Sequence, residues 1–129
     1  MLKLENIVAG YGHITALKDI SLEVPQGSIV SLIGANGAGK STTMKTIMGL
    51  VKPTSGKVLF EGQDITGHKT HQIVHGGISL VPEGRQILQD MSVYENLEMG
   101  AYIRNDNEIE ADIKKVFKRF PILDERSYQ

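Results

Sequence analysis

The chain has 129 residues, of which 40% are hydrophobic and 22% charged. This fits one globular domain or part of a larger one, since domains commonly run to about 100–200 residues, and excludes two full domains. Fourteen Lys and Arg against fifteen Asp and Glu leave a net charge of -1. That excludes the one-sided basic field of non-specific nucleic-acid binders, so no nucleic acid is expected as partner. The absence of cysteine excludes a disulfide scaffold, a Cys-ligated zinc or iron-sulfur site and a thiolate nucleophile.

The opening residues, Met1 to Asn6, lack the basic-then-apolar pattern of a signal peptide, and no apolar stretch is long enough to cross a bilayer. Leu2, Leu4 and Ile7, then Ala16, Leu17, Ile20, Leu22 and Val24, predict two short antiparallel strands. Turn chemistry lies at Gly10-Tyr11-Gly12 and at Pro25-Gln26-Gly27. Ile29 to Ile33 is nearly all β-branched or apolar and predicts a central strand buried on both faces, running into Gly34. From Ser41 to Leu50, Met44, Ile47 and Met48 recur at helical spacing, with Gly49 near the end and Pro53 beyond.

Val58-Leu59-Phe60 and the Glu61–Ile65 segment predict a strand and hairpin. His71 to His75 predicts a short helix closed by Gly76-Gly77, and Ile78 to Pro82 a further strand. From Val93 onward the pattern is helical. Val93, Leu97 and Ala101 share a face, residues 104–107 form a polar loop, and Ile109, Ile113, Val116, Phe117 and Phe120 make a second stripe. The one boundary falls near Pro82. It divides a β layer with a phosphate-loop core (1–82) from the beginning of a helical region (83–129).

Fourteen glycines are present, and three of them sit in Gly34-Ala35-Asn36-Gly37-Ala38-Gly39-Lys40-Ser41, a complete G-x-x-x-x-G-K-[ST]. Glycines let successive backbone N–H groups turn inward toward phosphate oxygens, and the following helix adds the positive end of its dipole. Lys40 is placed to reach the β- and γ-phosphates, and Ser41 offers a hydroxyl oxygen to Mg²⁺. The loop alone leaves kinase, GTPase, motor and transporter ATPase open.

Tyr11-Gly12 with Ala16-Leu17, Gly27, Gly34 to Thr42, Pro53-Thr54-Ser55-Gly56 and Gly62-Gln63-Asp64-Ile65 together resemble the nucleotide-binding domain of ABC transporters, over nearly the whole chain. The fold implied is α/β, an ABC-type P-loop NTPase core. It would carry an N-terminal antiparallel β layer and the start of a helical subdomain, and the domain would be incomplete.

The resemblance further implies that Tyr11 stacks on adenine, for which a phenol ring is a flat apolar partner. After Val81-Pro82 the family usually has a Gln that contacts Mg²⁺ and the attacking water. Here Glu83 stands there, keeping an oxygen ligand but adding negative charge near the γ-phosphate. Val81 to Arg85, Met91 to Leu97 and Met99 to Tyr102 resemble the ATP-binding subunits of branched-chain amino-acid importers.

Such an ATPase also needs an apolar strand ending Asp-Glu, a Leu-Ser-Gly-Gly signature and a switch histidine. The signature and the histidine have no match. Phe120 to Glu125 fits the acidic strand only superficially, because Pro121 interrupts it, and it is read as a turn after a helix. His71 and His75 lie one helical turn apart but lack further ligands, so with His68 they are read as solvent-exposed rather than as a zinc site. The Lys114-Lys115 and Lys118-Arg119 pairs are read as the wet face opposite the second stripe.

The function expected is that of an ATPase subunit hydrolysing ATP with Mg²⁺ to drive import. It would pair with a second ATPase subunit and transmembrane permease subunits, peripheral on the cytoplasmic face of the membrane. A catalytically incomplete nucleotide-binding fragment is the rival expectation, as is the ATPase of another ABC system, for urea or lipid export. With the strands that would flank the central one missing, the isolated chain is expected to be marginally stable and to expose apolar surface.

Overall fold

Strand β1 (Leu2–Tyr11) buries Leu4, Ile7 and Ala9, a set that changes phase between Leu4 and Ile7. A regular strand buries alternate residues. Asn6 breaks the alternation at φ 49, and the register with β2 (Ile14–Val24) shifts there, passing from Leu4↔Leu22 to Ile7↔Ile20. The facing strand bends as well, at Asp19 with φ 58. Asn6 Nδ2 donates to Asp19 Oδ1 at 2.8 Å and the Asn6 N–H donates to Ser21 Oγ at 2.9 Å. This bulge returns Ile7 to the core side, as an extra residue in one strand must.

The computed structural model describes residues 1–34, 39–84 and 86–129. They fall into two units, Met1–Val81 and Pro82–Gln129. In the first unit β3 (Ser55–Phe60) pairs antiparallel with β1, and β4 (Gln63–Asp64) with β3, giving the sheet order β2-β1-β3-β4. Helices α1 (Lys40–Ile47) and α2 (Thr70–His75) belong to the same unit. Ile47, Met48, Val51 and Ile73 join Leu4, Ile7, Ala9, Leu17 and Val58 in one core.

Helix α1 ends where the sequence places its stop. Gly49 has φ 77, the Leu50 N–H donates to the Lys45 carbonyl at 2.8 Å, and the Gly49 N–H donates to that of Thr46 at 3.3 Å. This is a Schellman closure, which needs a residue free to adopt positive φ. Thr70 Oγ1 then donates to the Met48 carbonyl at 2.8 Å, tying the start of α2 to the end of α1.

The second unit contains α3 (Val93–Gly100), α4 (Ile109–Arg119) and α5 (Pro121–Glu125). Ser92 caps α3 in a capping box with Glu95, at 3.1 Å in each direction. Val93, Leu97 and Ala101 are each half-buried, the face that periodicity predicts. On α4, Ile113 is buried and Phe117 packs 6.3 Å from Tyr94 of α3, centroid to centroid. Arg104 holds the loop before α4 by ion pairs of 2.8 Å to Asp106 and 2.7 Å to Asp112. Its hydrogen bonds are the main cause holding both carboxyls below the usual Asp range.

Five expectations are corrected. The N-terminal strands are not short: β1 has ten residues and β2 eleven. Ile29 to Ile33 forms no strand, with Ile29 98% and Ile33 93% exposed, and Ile78 to Pro82 forms none either. A buried parallel-type strand exists only through neighbours on both sides, and among the described residues the sheet β2-β1-β3-β4 includes neither run. Residues Pro121–Glu125 form helix α5 rather than a turn, with Pro121 in the first helical turn, where a missing N–H costs nothing. Phe120, expected at the end of the apolar stripe, lies past the end of α4 and is 52% exposed.

Two predictions follow from the packing. An alanine Cβ at Gly56 (φ 90) would lie 2.4 Å from the Asn6 carbonyl oxygen, whereas Gly62 (φ 80) has open space. Gly62→Ala should therefore cost about 1–2 kcal/mol in a urea titration, from backbone strain alone. Gly56→Ala should cost about 3 kcal/mol or more, and equal costs would show that the bulge can shift. The exposed Ile29, Ile33 and Val81 should bind an apolar dye in the absence of denaturant; no dye signal with a sharp thermal transition would show that this surface is covered.

Candidate functional site

The phosphate-loop motif leads into α1 by way of Gly39, the residue before the helix, which is buried and has φ 98. A Cβ there would lie 2.7 Å from Leu17 Cδ2 and 3.3 Å from the Ala16 carbonyl oxygen. Glycine is thus required twice at this position, for the left-handed turn and for the approach of β2. The next residues divide by face. Ser41 is exposed, while Thr42, Thr43 and Thr46 are buried at 7%, 3% and 2% exposure.

The Gly39 carbonyl accepts two hydrogen bonds from Thr43, one from its N–H and one from Oγ1, each 2.8 Å. In a trans peptide the carbonyl and the following N–H point in opposite directions. Drawing the Gly39 oxygen along the helix therefore turns the Lys40 N–H outward from the helix N-terminus, where the dipole is positive. A doubly bonded carbonyl also polarises its own peptide unit and strengthens that N–H as a donor. Thr46 Oγ1 makes the corresponding bond to the Thr42 carbonyl at 2.7 Å.

Lys40 is half-buried, and its Nζ donates to the Gly34 carbonyl. The ammonium thereby reaches from the end of the motif to its beginning. Ala35, Asn36, Gly37 and Ala38, named from the motif as nucleotide contacts, lie outside the described residues. Tyr11 ends β1 at the hairpin turn, pairs with Ile14, and is 47% exposed. Lys45 Nζ of α1 lies 5.9 Å from the centre of its ring.

Gly34, Gly39, Lys40, Ser41, Thr42 and Tyr11 thus all belong to the first unit, and the hairpin and α1 meet through the Tyr11–Lys45 contact. Glu83 belongs to the second unit, exposed in a turn beside Gly84 at φ 81. Asp124 and Glu125 stand on α5, not at a strand end. Among the described residues no group of three or more His, Cys, Asp or Glu side chains is gathered for a metal. Ser41, exposed at the start of α1, presents a hydroxyl that could hold Mg²⁺. One hard oxygen suits an ion that takes the rest of its shell from water and phosphate.

Sequence reasoning missed Thr43 and Lys45. Thr43 lies four residues after Gly39, the spacing at which a helical threonine can bond back to a carbonyl, and that signal was available. Nothing in the sequence brings Lys45 to Tyr11, because the contact joins residues 34 positions apart.

The ABC transporter domain family matches residues 17–128. Over its whole length the chain is 41% identical to the high-affinity branched-chain amino acid transport ATP-binding protein BraG of Pseudomonas aeruginosa, covering 55% of that protein. It is 38% identical over 106 residues to the lipopolysaccharide export system ATP-binding protein LptB of Haemophilus influenzae, covering 82% of this chain and 44% of that one. Among solved structures, the dimeric post-hydrolysis state of the ATP-binding cassette MJ0796 bound to ADP and phosphate matches the whole chain. The TM-score is 0.78 and the identity 25%, over 61% of that cassette. The chain spans about half the length of the curated relatives it matches.

Replacing Lys40 by Ala should remove a charge-assisted contact to phosphate and weaken ATP binding by at least about tenfold in isothermal titration calorimetry. Unchanged affinity would refute the role of the loop.

Proposed function

The chain belongs to the ABC transporter family, and on that premise we propose that it is part of an ATP-hydrolysing subunit of an importer for branched-chain amino acids. The observation that carries the reading is the junction at Gly39, where a complete phosphate-loop motif meets a helix whose first N–H is aimed outward and whose lysine reaches back to Gly34. The likeness to BraG along the whole chain supports the solute class.

The residues divide the work. The Lys40 ammonium and the outward Lys40 N–H stabilise charge on the γ-phosphate as its phosphoryl group passes to water and the bond to the bridging oxygen breaks, releasing ADP. Gly34 to Thr42 supply the cradle, with Ala35 to Ala38 placed in it by the motif. Tyr11 provides a half-exposed ring for adenine. Ser41 would hold Mg²⁺ through its hydroxyl, the ion when bound would neutralise phosphate charge, and Glu83 is an oxygen donor by its place in the sequence motif alone. A second ATPase subunit closes the site, as the dimeric MJ0796 structure suggests by likeness, and transmembrane permease subunits take up the motion. The subunit then works as a peripheral protein on the cytoplasmic face. None of the described helices is long and apolar enough to cross a membrane.

A second reading concerns the 129 residues alone. With Asp124 and Glu125 on a helix, no acidic strand end is available among the described residues to polarise water, so this chain binds ATP without turning it over.

Both readings are tested together. In vesicles carrying the complete transporter, ATP-dependent uptake of labelled leucine, isoleucine or valine should be present and lost with Lys40→Ala. Uptake of none of these, with ATP-driven movement of another solute or of lipid, would assign the subunit elsewhere. The 129-residue chain should bind ATP but release no phosphate above background, and turnover by it would overturn the second reading.

A further inference from the structure

We propose that Lys45 is a positioning residue of the nucleobase subsite, its ammonium holding the Tyr11 ring as the platform on which a purine stacks. The proposal rests on the reading of Tyr11 as the base contact.

The two residues come from different elements, and both backbones are fixed. Tyr11 pairs with Ile14 at the end of the hairpin, beside Gly12 at φ 57. Lys45 stands in the last turn of α1, and its carbonyl accepts the N–H groups of Leu50 at 2.8 Å and Val51 at 3.2 Å. What remains free is the side chain of each. The exposed Lys45 carries its Nζ to 5.9 Å over the Tyr11 ring, which is itself 47% exposed, and among the described residues no ion pair takes that ammonium.

A cation within about 6 Å of an aromatic centroid is attracted to the face of the ring. Lys45 therefore lies over one face of Tyr11, and the half-exposed ring keeps surface for a flat partner. Restricting the ring before a base arrives removes part of the ordering cost of binding. The same helix carries Lys40 at its first turn, so α1 links the phosphate loop to the base platform through two lysines five residues apart. A cation in a last turn also complements the helix dipole, but that role does not discriminate between ligands with and without a base.

Calorimetric titration of ATP and of inorganic tripolyphosphate into the protein separates the roles, with a thermal melt of each variant to confirm folding. Lys45→Met should weaken ATP by about two- to fivefold while leaving tripolyphosphate unchanged, and Lys45→Arg, which keeps the cation, should restore it. In a Tyr11→Ala background the Lys45 substitution should be silent. Equal weakening of both ligands, or no effect of Lys45→Met while Tyr11→Ala does lower ATP affinity, would overturn the role of Lys45 alone. If Tyr11→Ala leaves the preference for ATP over tripolyphosphate intact, the base reading of Tyr11 fails and this proposal fails with it.

Discussion

A side chain at position 39 would be strained by a left-handed backbone and would crowd the buried Leu17, and that restriction organises the first unit. Leu17 of β2 closes on Gly39 so tightly that a Cβ would lie 2.7 Å from its Cδ2, and the backbone turns there at φ 98. The start of α1 is thereby seated on the sheet. Once it is seated, the helix can only rotate so that Thr42, Thr43, Thr46 and Ile47 face the core and Lys40, Ser41 and Lys45 do not. The chemical face of α1 is thus fixed by a packing contact on its opposite side. Three buried threonines are an unusual lining for such a contact, since a buried hydroxyl is costly unless bonded. Those of Thr43 and Thr46 are satisfied by the carbonyls one turn earlier, and the first of these bonds orients the Lys40 N–H.

The bulge at Asn6 serves the same contact from further away. Regular alternation from Leu4 would put Asn6 and Val8 on the core side. The extra residue puts Ile7 and Ala9 there instead, in one cluster with Leu17 and Ile47. Asn6 at φ 49, Asp19 at φ 58 and Gly56 at φ 90 form a bend across three adjacent strands. Gly56 belongs to it because its neighbour's carbonyl leaves no room for a Cβ.

How much of this was legible in the sequence depended on whether the deciding interaction was local. The hairpin of β1 and β2, helix α1 with its Gly49 stop, the β3 turn, α2 and the faces of α3 and α4 are set by residues within a few positions of one another. Periodicity and capping chemistry announced them. Ile29 to Ile33 and Ile78 to Pro82 carry an equally strong β-branched pattern yet stay unpaired, because a strand is a relation to a neighbour rather than a property of a segment. Pro121 was read as a breaker, and it instead opens α5. In the site, the loop was legible as a motif, and at Gly39 the backbone geometry requires the glycine. The Tyr11–Lys45 contact was not, since it exists only after β1 and α1 have packed.

The charge balance makes these local arrangements matter more. The 129 residues carry a net charge of -1, and at physiological salt any field beyond about 8 Å is largely screened. Affinity for a highly charged anion must then arise within one or two contacts of the ligand. Helix α1 concentrates what is needed, with no acidic residue in its first turn, an outward N–H at its start, Lys40 reaching to Gly34 and Lys45 over Tyr11. In the proposed site each donor would act only on a group held against it, so shape would matter alongside charge. On the proposed reading, a nucleotide that fills the loop and the ring together would engage all of them, whereas a free anion of equal charge would engage only the first set.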